Sequence, residues 1–244
     1  MKHYLITGAT SGLGLDLAKK LSSNSKLTLI GRDFTKINLR DFKFKSKKNF
    51  NFLEYDLRDL EGISNLINSA TQMLGPLDGF VHSAGILNVV PLKGIRPNIA
   101  IDMYKVNVLS SHMITQEIRK AKNHNKNCSI VLISSIVHKA GNPGQAIYSA
   151  TKGALVSMAK SLSLELIRDK IRINTISPAA IETEMVFTYK QTVPVSALED
   201  LRSKHPMGFG KAKDITSAVK FLLSTQSSWI TGSDMIVDGG YSAQ

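Results

Sequence analysis

The chain has 244 residues, 43% of them hydrophobic and 20% charged. That balance excludes a disordered or collagen-like polymer and leaves enough apolar material for a large core. The single cysteine, Cys128, excludes an intrachain disulfide and a cysteine-based zinc site, while 31 basic against 19 acidic residues give a formal charge of +12.

Such a charge fits a phosphorylated ligand, a nucleic acid or an anionic surface, and equally a plain compositional bias. The apolar run Tyr4-Leu5-Ile6 is too short for a signal peptide, and no stretch is long and apolar enough to predict a membrane span. A soluble, cytoplasmic protein is the expectation, with no metal site.

In chain order, strands are predicted at His3–Thr7, Lys26–Ile30, Phe50–Tyr55, Gly79–Ser83, Ser129–Ser134, Arg172–Ile176 and Asp234–Val237. Between them, helices are predicted from Leu15 to Leu21, along Leu60, Ile63, Leu66, Ile67, Ala70 and Leu74, and over Pro97–Asn123 and Gln145–Arg168. Short apolar runs alternating with longer amphipathic ones predict an α/β fold. Without a linker or repeat, residues 1–244 form one Rossmann-type domain: a doubly wound parallel sheet of about seven strands with helices on both faces.

One stretch breaks the alternation. Residues 41–52 read Asp-Phe-Lys-Phe-Lys-Ser-Lys-Lys-Asn-Phe-Asn-Phe. Aromatics interleaved with lysines suit a stacking platform for single-stranded nucleic acid, or a strand or hairpin at the sheet edge with solvated lysines. The edge is the expected reading, and it leaves no long helix between the second and third strands.

After the first strand comes Thr7-Gly8-Ala9-Thr10-Ser11-Gly12-Leu13-Gly14. Glycines between a strand and a helix let backbone amides approach a pyrophosphate, although the spacing is G-x-x-x-G-x-G rather than G-x-G-x-x-G. Further on, Tyr148 and Lys152 stand four apart on a predicted helix and share one face. An ammonium beside a phenol favours the phenolate, which makes the pair a candidate general acid/base. Ser135 follows the fifth strand, at the carboxyl edge where such sheets bind ligands.

Together these residues resemble the short-chain dehydrogenase/reductase family, over the whole chain. The glycine turn matches, as does a Tyr-x-x-x-Lys pair thirteen residues after a serine. His82-Ser83-Ala84-Gly85 stands where the family has Asn-Asn-Ala-Gly, and Asn107 matches a family helix asparagine. The run from Asn174 through Pro178 to Thr183 and the ending Val237-Asp238-Gly239-Gly240 fit as well.

The resemblance implies that Tyr148 passes a proton to or from the substrate oxygen while hydride moves at the nicotinamide. Lys152 would lower the Tyr148 pKa and bind the ribose, Ser135 would polarise the carbonyl, and Asn107 would hold a water that relays protons through Lys152. Gly8, Ser11, Gly12, Leu13 and Gly14 would hold the pyrophosphate. Asp56 and Leu57 would lie near adenine, with Ser83, Ala84 and Gly85 beside the cofactor and Pro178, Ile181 and Thr183 at its nicotinamide end.

Two departures stand out. His82 replaces an asparagine and is expected to be a hydrogen-bonded structural histidine, and Ala179 replaces a glycine beside the nicotinamide loop.

Cofactor choice turns on Gly31-Arg32-Asp33. Members that use NAD carry an acidic residue where Gly31 stands, and Arg32 is suited to a 2′-phosphate, so NADP(H) is favoured over NAD(H). Against this, Ser11 is not basic and Asp33 is adjacent.

The substrate lid is expected at residues 185–206, an apolar stretch (Val186, Phe187, Tyr189, Val193, Pro194, Val195, Leu198 and Leu201) carrying Lys190, Lys204 and His205. The expected activity is reversible ketone/secondary-alcohol oxidoreduction by a homodimer or homotetramer. The sequence looks most like bacterial 3-oxoacyl carrier-protein reductases, with Ser129 and Asp169 where those carry basic docking residues. A keto-sugar reductase, a catalytically silent cofactor-binding regulator and nucleic-acid binding through residues 42–52 stay as alternatives.

Overall fold

The structure, a computed structural model, describes residues 1–35, 37–182 and 195–244, without the side chains of Lys47, Val195, Ala197 and Leu198. Seven parallel strands form a single sheet: β1 (Lys2–Thr7), β2 (Ser25–Gly31), β3 (Phe50–Glu54), β4 (Leu77–His82), β5 (His124–Ile133), β6 (Arg172–Pro178) and β7 (Asp234–Val237). Their spatial order is β3-β2-β1-β4-β5-β6-β7. Helices α1 (Gly12–Leu21), α2 (Ile63–Leu74), α3 (Pro97–Tyr104), α4 (Ser110–Ile118), α5 (Ala146–Leu166), α6 (Val195–Ser203) and α7 (Ala212–Leu223) account for the amphipathic segments.

The near-continuous apolar strands follow from burial on both faces. On one face Leu5, Phe80, Leu132 and Ile173 pack against Ile67 of α2, Ile114 of α4 and Leu155 of α5. On the other, Ile6, Val81, Val131 and Ile176 pack against Leu17 of α1 and Ile215 and Leu222 of α7. The predicted α/β class, strand set and single domain stand.

Three local details differ from the sequence expectation. The segment predicted as one helix over Pro97–Asn123 is α3, a π-helical turn at Lys105–Leu109 and α4, and β5 begins at His124. An i→i+5 turn carries one more residue than an α turn and turns Asn107 inward, where it is fully buried.

Residues 41–49 form neither strand nor hairpin; short 3₁₀ turns stand at Leu39–Asp41 and Lys47–Asn49. The aromatics there pack on each other: Phe44 stacks on Phe50 at 4.2 Å, Phe42 on Phe44 at 5.2 Å, and Phe34 lies 4.8 Å from Phe52. Phe42 is buried with Leu27 and Leu29 of β2. β3 is the sheet edge, as expected, and these rings cover it instead of offering a free stacking platform.

Candidate active site

The strand order reverses between β1 and β4, so their carboxyl ends diverge and open a crevice. A cleft of about 400 Å³ occupies that edge. At its centre is the glycine turn. Gly8 has φ of +66°, and a Cβ there would lie 2.7 Å from the Ala84 backbone nitrogen. Only glycine accepts both the dihedral and the close approach. Gly14 does not line the cleft; it packs directly on the Gly8 carbonyl and fixes α1 against the turn.

Ser11, Gly12 and Leu13 do line it, at the N-terminus of α1. No side chain caps that helix, so its first amides remain as donors toward an anion. A cradle that a Cβ would fill, beside uncapped helix amides, fits the pyrophosphate of a dinucleotide.

At the β2 end the cleft is lined by Gly31, Arg32, Asp56 and Leu57. A Cβ on Gly31 would collide with the Thr10 methyl, so the position that would carry an NAD-selecting carboxylate is already filled. Asp33 turns to its own loop, accepting from the Thr35 amide at 2.8 Å and the Thr35 hydroxyl at 2.6 Å. Arg58 grips Asp56 through two guanidinium nitrogens and reaches Asp102 of α3 at 3.5 Å. That grip holds the Asp56 carboxyl below the usual carboxylate range. Arg58 and Asp102 line the cleft too; no motif marks them, because the helix that brings Asp102 to the β3 loop is placed only by the fold.

Elsewhere along the cleft wall Ser135, Tyr148 and Lys152 are gathered. Ser135 follows β5 and caps a 3₁₀ turn, its hydroxyl accepting from the Val137 amide at 3.4 Å. Its side chain also acts on the Tyr148 phenol, drawing its pKa down. Lys152 is buried and donates to the Ile133 carbonyl at 2.8 Å, with its ammonium 5.6 Å from the Tyr148 ring centroid.

Burial pushes the phenol up to about 12, against the pull of Ser135, and pushes the Lys152 ammonium down to about 8. Burial is the larger influence on the phenol, and the Lys152 ammonium is turned to a backbone carbonyl.

Asn107 is not on the cleft wall. Its carboxamide accepts from the Ile86 amide at 2.8 Å and donates to the Ile86 carbonyl at 3.1 Å and to Thr151 at 3.0 Å. It fixes the irregular segment following Gly85 against α5. A Cβ on Gly85 would stand 3.5 Å from both Asn107 Oδ1 and Lys152 Nζ, so the two polar groups flank that glycine.

Ser83, Ala84, Gly85, Pro178, Ala179 and Ile181 all border the cleft. Thr183 lies outside the described residues, as does the 185–194 part of the expected lid. His82 is fully buried, bonded to Thr7 at 2.9 Å and to the Val106 carbonyl at 3.1 Å, and burial drops its pKa to about 3. It is a structural histidine, as expected. The wall also includes Asn142, Gln145, Leu201, His205 and Tyr241. Tyr241 was missed by the sequence reading, since nothing but the return of the C-terminal segment brings it here.

A family model described as enoyl-(acyl carrier protein) reductase matches residues 8–242. A 3-oxoacyl-(acyl-carrier-protein) reductase of Thermotoga maritima is 31% identical over 243 residues, covering 98% of this chain and 97% of that protein. Among solved structures, a 4-hydroxyisoleucine dehydrogenase complexed with NADH matches with a TM-score of 0.90 at 25% identity, covering all of both chains. ElxO with NADP bound matches with a TM-score of 0.86 at 28% identity, covering 100% of this chain and 99% of that one.

Proposed function

The chain belongs to the short-chain dehydrogenase/reductase family and is an NAD(P)-dependent oxidoreductase of the CH–OH/C=O couple; from that premise we propose an NADP(H)-dependent reductase that interconverts a ketone and a secondary alcohol. The observation that carries the reading is the convergence of Ser135, Tyr148 and Lys152 at one end of a cleft whose middle is the Gly8–Gly12 cradle. A nicotinamide cofactor, when bound, supplies or takes up the hydride; the protein supplies position and the proton.

Gly8, Ser11, Gly12 and Leu13 hold the pyrophosphate, with Gly14 fixing the helix behind them. Asp56 and Leu57 border the adenine. Ser83, Ala84 and Gly85 wall the middle of the cleft, and Pro178, Ile181 and Thr183 serve the nicotinamide end. Arg32 takes the 2′-phosphate, a preference supported by the blocked space at Gly31.

Tyr148 stands protonated at neutral pH, which suits it to donate to a developing alkoxide during reduction. Ser135 donates to the carbonyl oxygen and holds the phenol in line. Lys152 binds the ribose and, once drawn from the Ile133 carbonyl, places positive charge beside the phenol. Asn107 fixes the Ile86 backbone next to Lys152, a positioning role.

A 3-oxoacyl thioester is the substrate class proposed first, because the T. maritima relative is named for that chemistry and the substrate end carries Val137, Leu201 and Tyr241. Residues 185–206 act as the lid, supported by Leu201 and His205 on the cleft wall. Ser129 is buried against the Leu222 carbonyl and Asp169 pairs with Arg119, so neither offers a cationic dock for an acidic carrier.

We place the enzyme in the cytoplasm, in keeping with the unpaired thiol of Cys128. It acts there as a homodimer or homotetramer, with exposed Leu164, Ile167 and Leu109 as the apolar surface for a second copy.

The test is NADPH oxidation with an acetoacetyl thioester, with Tyr148→Phe as blank. Turnover lost in the variant supports the assignment. NADPH bound but not consumed moves the substrate to another ketone, such as a nucleotide-linked keto sugar, and failure to bind either nicotinamide cofactor overturns the reading.

A further inference from the structure

The cleft contains a histidine that the mechanism leaves unused. His205 is 5% exposed, lies just beyond α6 and borders the cleft. Its two ring nitrogens face groups of fixed polarity. Nδ1 is 2.6 Å from the Leu201 carbonyl oxygen, which can only accept, so Nδ1 carries the proton. Nε2 is 3.3 Å from the Ala180 backbone nitrogen, which can only donate, so Nε2 presents its lone pair. Both nitrogens are thus spent on backbone, and the ring is closed to proton transfer with substrate.

What it joins is specific. Ala180 belongs to the loop 178–181 that leaves β6, and Pro178, Ala179, Ala180 and Ile181 all line the cleft. The same loop is tied further along: the Ala180 carbonyl accepts from the Gly210 amide at 3.0 Å, and the Glu182 amide donates to the Gly210 carbonyl at 2.9 Å. His205 adds the bond on the cleft side. Its ring is wedged by Phe209 at 5.0 Å and Tyr241 at 4.7 Å between centroids, so its orientation is set by packing from two segments. The imidazole is the contact at which the end of the lid segment, the β6 loop and the C-terminal turn meet.

We propose that His205 is a positioning residue: its Nε2 lone pair holds the Ala180 amide and thereby presets the 178–181 loop for the nicotinamide half of the cofactor. This rests on the dinucleotide reading of the cleft. A loop fixed before binding pays no ordering cost when the nicotinamide arrives.

The chemistry gives a test that separates the bond from the bulk of the ring. Glutamine reaches as far as Nε2 and keeps an acceptor for Ala180. Asparagine mimics Nδ1, keeping the donor to Leu201 and losing the reach to Ala180. His205→Gln, His205→Asn and His205→Leu are titrated with NADPH, with NADH and with adenosine 2′,5′-bisphosphate, which lacks the nicotinamide half.

One net hydrogen bond corresponds to about fivefold in affinity. The expected result is NADPH binding weakened about fivefold in the Asn and Leu variants and restored to within about twofold in the Gln variant. Binding of the bisphosphate should be equal in all forms. Should the Leu variant fail to fold, the Gln–Asn contrast alone decides.

Equal NADPH affinity in the Asn and Gln variants overturns the proposal, because the ring would then act by volume. Parallel weakening of the bisphosphate overturns it as well, because the damage would then be general. A wild-type protein that binds neither NADPH nor NADH overturns the dinucleotide reading itself, and this proposal with it.

Discussion

Lys152 donates its ammonium to the carbonyl of Ile133, at 2.8 Å. The carbonyl at the end of β5 thus holds the cation in reserve, and burial lowers the lysine to about 8 while raising Tyr148 to about 12. Burial thus favours a protonated phenol and a lysine that is easily discharged.

A pH limb follows. Lys152 loses its proton as pH rises through about 8 in the free enzyme. Because the free-enzyme groups govern kcat/KM, kcat/KM for ketone reduction should be level at neutral pH and fall above about pH 8. A profile that stays flat to pH 10 would refute a role for the charged lysine.

Tyr148→Phe removes the donor and keeps the ring. Loss of general acid catalysis should lower kcat by about 10²–10⁴-fold, while NADPH binding stays within about threefold, as measured by fluorescence titration. A variant retaining a tenth of wild-type turnover would point to a different proton donor.

Arg32→Ala tests the cofactor reading. Removing a guanidinium from a phosphate should weaken NADPH by about tenfold or more and leave NADH nearly unchanged. Equal effects on both cofactors would place Arg32 away from the 2′ position.

Acid stability depends on His82 and His3. Burial lowers both, His82 to about 3, while an unfolded histidine titrates near its ordinary value of about 6.5. Above that value neither state binds the proton and nothing is lost. As pH falls below it, the unfolded chain takes up the proton that the folded chain refuses. Stability should drop by about 1.4 kcal/mol per pH unit for a fully shifted histidine. Between pH 7 and pH 5, His82 accounts for about 2 kcal/mol. Urea unfolding at the two pH values checks this, and His82→Asn should reduce the slope; identical slopes in the two proteins would sink it.

Much of the site was legible in the sequence because its parts are local. Gly8, Gly12 and Gly14 are bound to one turn, and Tyr148 and Lys152 to one face of α5, so spacing alone brings them together. The sheet was legible for a similar reason: strands buried on both faces must be apolar throughout, and amphipathic helices must alternate with them.

Residues that act across the fold were not legible. Asp102 reaches Arg58 only because α3 packs over the β3 loop, and Tyr241 meets His205 only because the C-terminal turn folds back. The Phe42–Phe52 stretch looked like a platform or a hairpin because alternation is a local signal; a neighbouring sheet edge decided which way its rings faced.

The sequence by itself determined the α/β class, the glycine turn after the first strand and the shared helix face of Tyr148 and Lys152, since each is fixed by periodicity or by residues a few apart. The tertiary structure alone decided the charge state of those groups. Burial keeps the proton on Tyr148 and weakens the hold on that of Lys152. Desolvation is a property of everything packed around a side chain, and no spacing along the chain encodes it.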